Sequence, residues 1–352
     1  MGAGMRSLLA VGVLMGCSCL GVGADESRIA EKRQTGAGVA AQEKAASKVA
    51  AGDATKVTAA VVFRGGTGFI DAVKQTCQDF SGEKLQDCFA REMKKAKASA
   101  EAAEFSRQLG EPGFARDYKA AGTVDIVYVL YPYRANENQS WLVVNGEPAI
   151  IDVDNQKLLA AEAVKSDATY LALGKRHADV SLWPGDRGGT EYPDVEKGEN
   201  GEIRIVVNYR LREKCHACAV WGHAWYAFDY DAQGKFAGAK LAAVSIAREK
   251  AMVARDAKKT VVLPVGEEVT MALPVKPGAG EEEWKLAGSL DTAKIRLIEH
   301  SHVAPPAAGG AVGSEELWNF AGLGIGTTRI AVQRKDDARK VVAFRVVVRG
   351  RK

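Results

Sequence analysis

The chain has 352 residues, 47% of them hydrophobic, and its 48 Lys and Arg against 44 Asp and Glu leave a formal net charge of +4. This composition suits a globular protein with room for two domains and excludes a chain too polar to bury a core. The small basic excess is interleaved with acids, which excludes the clustered positive footprint of a nucleic-acid binder.

Residues 1–24 hold one Arg6, an apolar run from Leu8 to about Leu20, and small residues ending at Ala24. This is the layout of a secretory signal cleaved after Ala24. The run falls short of the roughly 20 residues a membrane span needs. Leu14-Met15-Gly16-Cys17 also resembles a bacterial lipobox, with Met15 outside the usual pattern, and would make Cys17 a lipid anchor. Plain cleavage is preferred. Both routes predict an exported protein, periplasmic or secreted, that meets a membrane only through Cys17. Residues 25–59 are rich in Ala, Gly, Lys, Glu and Ser and have no aromatic side chain, so they predict a tether.

Residues 60–252 predict an α+β domain, a helical hairpin followed by a mostly antiparallel sheet. Ile70, Val73 and Cys77 recur at helical spacing, Ser81-Gly82 interrupts, and Leu85, Cys88, Phe89 and Met93 resume it. Ser81 is the expected N-cap of the second helix. Two helices on a short turn would bring Cys77 and Cys88 together as a clamp. From Thr123 the texture turns to strands: TVDIVYVLYPY, then SWLVVNGEPAIIDVD around a type I′ turn at Asn145-Gly146. NQKLLAAEAVK predicts a helix and SLWPGDRGGTEYPDVEKGENGE a long loop, in which Asp186 and Arg187 are read as a solvated turn. IRIVVNYRL predicts a strand, and a hairpin turns at DAQGK.

The segment Arg212–Asp231, REKCHACAVWGHAWYAFDYD, concentrates cysteine, histidine and tryptophan. Covalent haem would need His directly after the second Cys, and Ala219 stands there. Zinc could draw on Cys215, His216, Cys218 and His223, but their spacing is not that of a finger. A redox Cys-x-x-Cys usually opens a helix, whereas this one runs into a strand. With Cys17 and Cys19 in the signal region, Cys77, Cys88, Cys215 and Cys218 form an even set in an oxidising compartment. Disulfides Cys77–Cys88 and Cys215–Cys218 are therefore expected first, thiol–disulfide redox second and metal third. Trp221, His223 and Trp225 share a strand face, expected first to lie under the N-terminal helices and otherwise to be a ligand surface. No nucleophile elbow, zinc-protease motif or phosphate loop occurs, and GLGIG precedes a β-rich stretch rather than a helix.

Residues 258–352 break into TVVLPV, EVTMAL, EWKLA, KIRLIEH, SEELWNF, GTTRIAVQRK and VVAFRVVV, separated by Gly, Pro and Asp turns. Seven short strands in roughly 95 residues predict an all-β immunoglobulin-like sandwich.

This segment resembles the chagasin family of cysteine peptidase inhibitors, through VVLPVGEEVTMALPVKPGAGEEEW and GAVGSEELWNFAGLGIGTTRIAVQ. The resemblance implies an immunoglobulin-like domain that blocks papain-like peptidases with three loops at one end. Lys276-Pro277-Gly278-Ala279-Gly280 stands where the family has Asn-Pro-Thr-Thr-Gly, and Trp284 follows one residue late. Gly310-Ala311-Val312-Gly313-Ser314 corresponds to the glycine-rich second loop with one glycine replaced. The third loop keeps Arg334 but lacks the Pro and the aromatic that follow it in the family. These eleven positions are the expected peptidase contacts, with Arg334 at the rim. The expectation is an exported, non-catalytic protein, without metal or cofactor, whose partner is a papain-like cysteine peptidase. A thiol–disulfide protein using Cys215 and Cys218, or an envelope binding protein that inhibits nothing, are the alternatives.

Overall fold

The first described element, a short 3-10 turn over Ala59–Val61, precedes three helices: α1 (Phe69–Cys77), α2 (Gly82–Lys95) and α3 (Ala100–Gln108). The computed structural model describes residues 56–66, 68–135, 138–177, 179–185, 192–247, 253–255, 257, 259–275, 283–303 and 315–350. The expected signal with Cys17, nearly all of the tether, and Asp186 and Arg187 lie outside them. The protein is mostly β, with a few helices and several antiparallel sheets.

The first sheet orders β1 (Phe114–Ala120), β2 (Asp125–Leu130), β3 (Gln139–Val144) and β4 (Ile150–Asp152), all antiparallel. Two short helices follow, α4 (Ala161–Ser166) and α5 (Ala168–Gly174). The second sheet comprises β5 (Val180–Pro184), β6 (Asp194–Lys197), β7 (Ile203–Glu213), β8 (Val220–Tyr230) and β9 (Phe236–Ile246), with β5 and β6 both on one edge of β7.

Strand alternation sorts the first sheet's side chains into two cores. Val127, Val129, Leu142 and Val144 face Phe105 and Leu109 of the helical layer. Ile126, Trp141 and Val143 point the other way, onto Ile205, Val207, Tyr226 and Phe228 of the second sheet. Under the helices, Phe89, Met93 and Phe114 surround the buried Cys77–Cys88 bridge, whose S–S distance is 2.04 Å.

Several local expectations change. The expected two-helix hairpin gains a third helix: the second ends before Lys97, whose φ is 66°, and α3 starts after Ser99, whose hydroxyl accepts from the Ala102 N–H at 2.9 Å. Ser81 occupies the N-cap position of α2 but makes no side-chain cap bond. Asn145-Gly146 does not form a two-residue hairpin. Residues 145–149 make a wider turn, closed by Asn145 N–H to Ala149 O at 3.1 Å, because Glu147 exchanges backbone bonds with Gly234 and Phe236 instead. NQKLLAAEAVK splits into a 3-10 turn and the short α4, and Asp167 caps α5 through the Thr169 and Tyr170 N–H groups. The expected long loop contributes β5 and β6, since the edge of β7 offers a ladder that overrides weak local propensity.

A second sandwich follows a two-residue strand, β10 (Val253–Ala254). Its strands are β11 (Thr260–Pro264), β12 (Glu268–Pro274), β13 (Trp284–Leu286), β14 (Ile295–Val303), β15 (Glu315–Gly322), β16 (Gly326–Arg334) and β17 (Val341–Arg349). They form two sheets, β10-β12-β15-β14 and β11-β17-β16-β13. Leu263, Met271, Trp318, Phe320, Ile330 and Phe344 fill the space between them. The sheet containing β12 also packs by its outer face on the second sheet of the N-terminal half, where Trp225, Val206 and Ala227 meet Ala321. The His223–Trp225 face is thus covered by this sandwich and not by helices α1–α3, which are on the far side of the first sheet. Trp221 is the extra residue of a bulge in the β7–β8 pairing and packs with the other core.

Candidate functional site

Three connections leave one end of the C-terminal sandwich. The first joins Val275 to Glu283, the second Val303 to Glu315, and the third is the turn between Arg334 and Val341. Ladder register brings their feet together: Pro274 pairs with Glu315, Glu315 with Val303, Trp284 with Arg334, and Gln333 with Val341. Lys276, Pro277, Gly278, Ala279 and Gly280, and Gly310, Ala311, Val312, Gly313 and Ser314, lie outside the described residues, so the flanks carry the geometry.

Those flanks share a buried carboxylate. Glu316 is 0% exposed. Alternation along β15 turns it inward with Trp318 and Phe320, although a carboxylate in such a place needs donors on every side. It has them. Oε1 accepts from the backbone N–H of Glu283 and from that of Trp284 at 3.1 Å, and Oε2 lies 2.7 Å from Nε2 of His300. The His300 ring stacks on Trp318 with centroids 3.8 Å apart. Glu316, at the foot of the second loop, therefore holds the foot of the first.

Glu283 extends the chain to the third loop. Its carboxylate pairs with Nη2 of Arg334, and its backbone carbonyl accepts from the Lys335 N–H at 2.8 Å. Nη2 of Arg334 also lies 2.8 Å from Asp336, and its guanidinium stands 6.0 Å from the Trp284 ring centroid. The indole N–H of Trp284 donates to Pro274 O at 3.2 Å, which secures the upstream foot of the first loop. Arg334 is only 6% exposed. It is held at the foot of the third turn by the buried Glu283 carboxylate on one side and the exposed Asp336 on the other. Across the third turn, the side chain and backbone N–H of Arg339 hold the Asp337 carboxyl below the usual aspartate value.

The network was not expected from the sequence. Its one legible signal is the period-two series Glu316, Trp318, Phe320, which places a carboxylate on an inward face. His300 is spent on Glu316. Among the described residues no group of three or more His, Cys, Asp or Glu side chains is arranged to hold a metal ion. Cys215 and Cys218 sit elsewhere, at the tip of the β7–β8 hairpin, joined as a disulfide.

No protein-family model matches the chain, and no curated protein matches it. Among solved structures it is similar to the cysteine protease inhibitor EhICP2 from Entamoeba histolytica, at 19% identity and a TM-score of 0.23, over 28% of this chain and 95% of that one. It is similar to amebosin at 16% identity and a TM-score of 0.24, over 28% and 99%. Domains 4 and 5 of the S-layer protein SbsC align at 14% identity and a TM-score of 0.18, over 49% and 99%. Scores of this size assign nothing by themselves.

Proposed function

We propose that the C-terminal sandwich binds and inhibits papain-like cysteine peptidases through the three loops at this end. The observation that carries the proposal is the buried Glu316 carboxylate, which ties the feet of the first and second loops, with Glu283 and Arg334 adding the third. An inhibitor of this kind must present loops that enter a cleft backbone-first without flexing into substrate register. Loops fastened at their feet lose little entropy on binding. The glycines of Gly310–Ser314 and the Pro277–Gly280 stretch suit close backbone approach. The third turn supplies no aromatic anchor, so affinity rests on the first two loops. Export, by signal cleavage or through a lipid on Cys17, belongs to the same proposal and would place the inhibitor where foreign or secreted peptidases are met.

The test is a titration of papain with the full chain and with its Gly313→Trp variant. Wild type should inhibit, and the variant should lose at least about ten-fold in affinity, since a bulky side chain holds the backbone away from the nucleophile. Equal inhibition by both would remove the glycine loop from the mechanism. Absence of inhibition by the wild type across several papain-like enzymes would remove the function.

A further inference from the structure

The two disulfides among the described residues occupy opposite environments. Cys77 and Cys88 are 0% and 2% exposed, between helices α1 and α2. Cys215 is exposed and Cys218 half-buried, at the tip of the β7–β8 hairpin. The second bridge spans a sequence separation of only 3, so it joins no distant segments and restricts the unfolded chain little. The turn has other fastenings. Cys218 N–H donates to Cys215 O at 3.1 Å, Glu213 N–H to Ala219 O at 3.4 Å, and Lys214 N–H to Asp179 O at 3.3 Å. Arg212 spans the turn from inside, its Nη1 donating to the carbonyls of His216 and, at 2.9 Å, of Cys218. A bridge that is presented to solvent and structurally dispensable invites a chemical role.

We infer that Cys215–Cys218 is a thiol–disulfide exchange site that accepts two electrons from a dithiol, a role independent of the peptidase proposal. One thiolate of the dithiol attacks Sγ of Cys215, the more exposed residue of the pair. The Cys215–Cys218 bond breaks as a dithiol–Cys215 bond forms, and the electron pair leaves on Sγ of Cys218. The dithiol's second sulfur then attacks its own first sulfur, closing a disulfide and releasing Cys215. The two protons of the dithiol end on Cys215 and Cys218. Redox cysteines commonly use a helix N-terminus to stabilise the leaving thiolate. Here Arg212 takes that place: its bond to the Cys218 carbonyl fixes a positive charge within the turn that carries the leaving thiolate, while the Lys214 charge at the same tip is paired with Asp179 at 3.2 Å. Since the backbone bonds and Arg212 hold the turn, reduction leaves the hairpin folded.

The experiment exposes the folded full chain to dithiothreitol, quenches by alkylation at timed intervals and assigns the labelled cysteines by mass spectrometry. Cys215 and Cys218 should label at least about ten-fold faster than Cys77 and Cys88, with unchanged circular dichroism. Arg212→Gln should slow the opening several-fold while Arg212→Lys keeps it, because the lysine retains the charge. In Cys218→Ser an aromatic disulfide probe should be captured on Cys215, and in Cys215→Ser the half-buried Cys218 should react more slowly. The inference is overturned if the exposed bridge opens no faster than the buried one, opens only as circular dichroism is lost, or opens at the wild-type rate in Arg212→Gln.

Discussion

Nδ1 of His223 and Oε1 of Glu268 lie 2.8 Å apart in the seam between the five-stranded sheet and the C-terminal sandwich, each residue less than a tenth exposed. The same Oε1 accepts from the Ser245 hydroxyl at 2.5 Å. Burial pushes the Glu268 carboxyl up, but the charge and hydrogen bond of His223, with bonds from Ser245 and Asn319, outweigh it and leave its pKa below the usual glutamate value. Glu268 is thereby favoured in its charged form, with Nδ1 of His223 placed to donate to it. Removing one member strands the other. His223→Phe should cost about 3–5 kcal/mol of stability, the range for breaking a buried pair, read by thermal unfolding. Glu268→Gln, which keeps an acceptor and removes the charge, should cost less.

The pH dependence of that seam has a definite sign. A carboxyl whose folded pKa is depressed contributes stability above its unfolded value, near 4.3, and loses it as pH falls through the folded value. Acidification below about 4.3 should therefore lower the wild-type melting temperature more steeply than that of Glu268→Gln. Parallel melting curves for the two proteins between pH 6 and 3 would show that Glu268 contributes nothing to acid sensitivity. The Arg296–Asp194 pair, at 2.8 Å across the same seam, is present in both proteins and cancels in the comparison.

The Cys77–Cys88 bridge lies in the phenylalanine cluster under the helices, where Phe63, Phe69, Phe89 and Phe114 meet edge-on and stacked. The double change Cys77→Ser, Cys88→Ser both opens an 11-residue separation and places two hydroxyls in an apolar core. Stability should fall by on the order of 2–4 kcal/mol from the cross-link alone, read as a lower urea midpoint. Mass spectrometry of alkylated, unreduced wild type should find neither cysteine labelled.

Much of the architecture is written locally, and the misses have a common cause. The stretch GTTRIAVQRK alternates cleanly because one face of β16 fills the sandwich core and the other meets water, so its strand reads directly. The Pro- and Gly-rich stretch holding β5 and β6 has no such pattern; only the ladder of β7 makes it extended. The partner of the His223–Trp225 face depends on Glu268, 45 residues beyond His223, and on Ala321, 96 residues beyond Trp225, and no local periodicity encodes such a contact. In the loop end, Gly310–Ser314 and Lys276–Gly280 are visible as motifs, whereas Glu316 and Glu283 look like ordinary surface acids. Burial, not residue type, makes them structural.

Glu316 supplies the sharpest test of that structural role. Glu316→Ala leaves the N–H groups of Glu283 and Trp284 without their acceptor, a loss of about 1–3 kcal/mol for each buried group. The melting temperature should fall accordingly. If the network also holds the loops in their binding arrangement, inhibition of papain should weaken by at least about ten-fold even well below the melting transition, because the loops must then be ordered on binding. Arg334→Met should reproduce the effect through Glu283, and a core change remote from this end, Phe89→Ala, should lower stability by about 3–5 kcal/mol while leaving inhibition at that temperature unchanged. A Glu316→Ala protein that melts earlier yet inhibits as well as wild type would mean that the loops hold their own shape, and that the carboxylate serves only the fold.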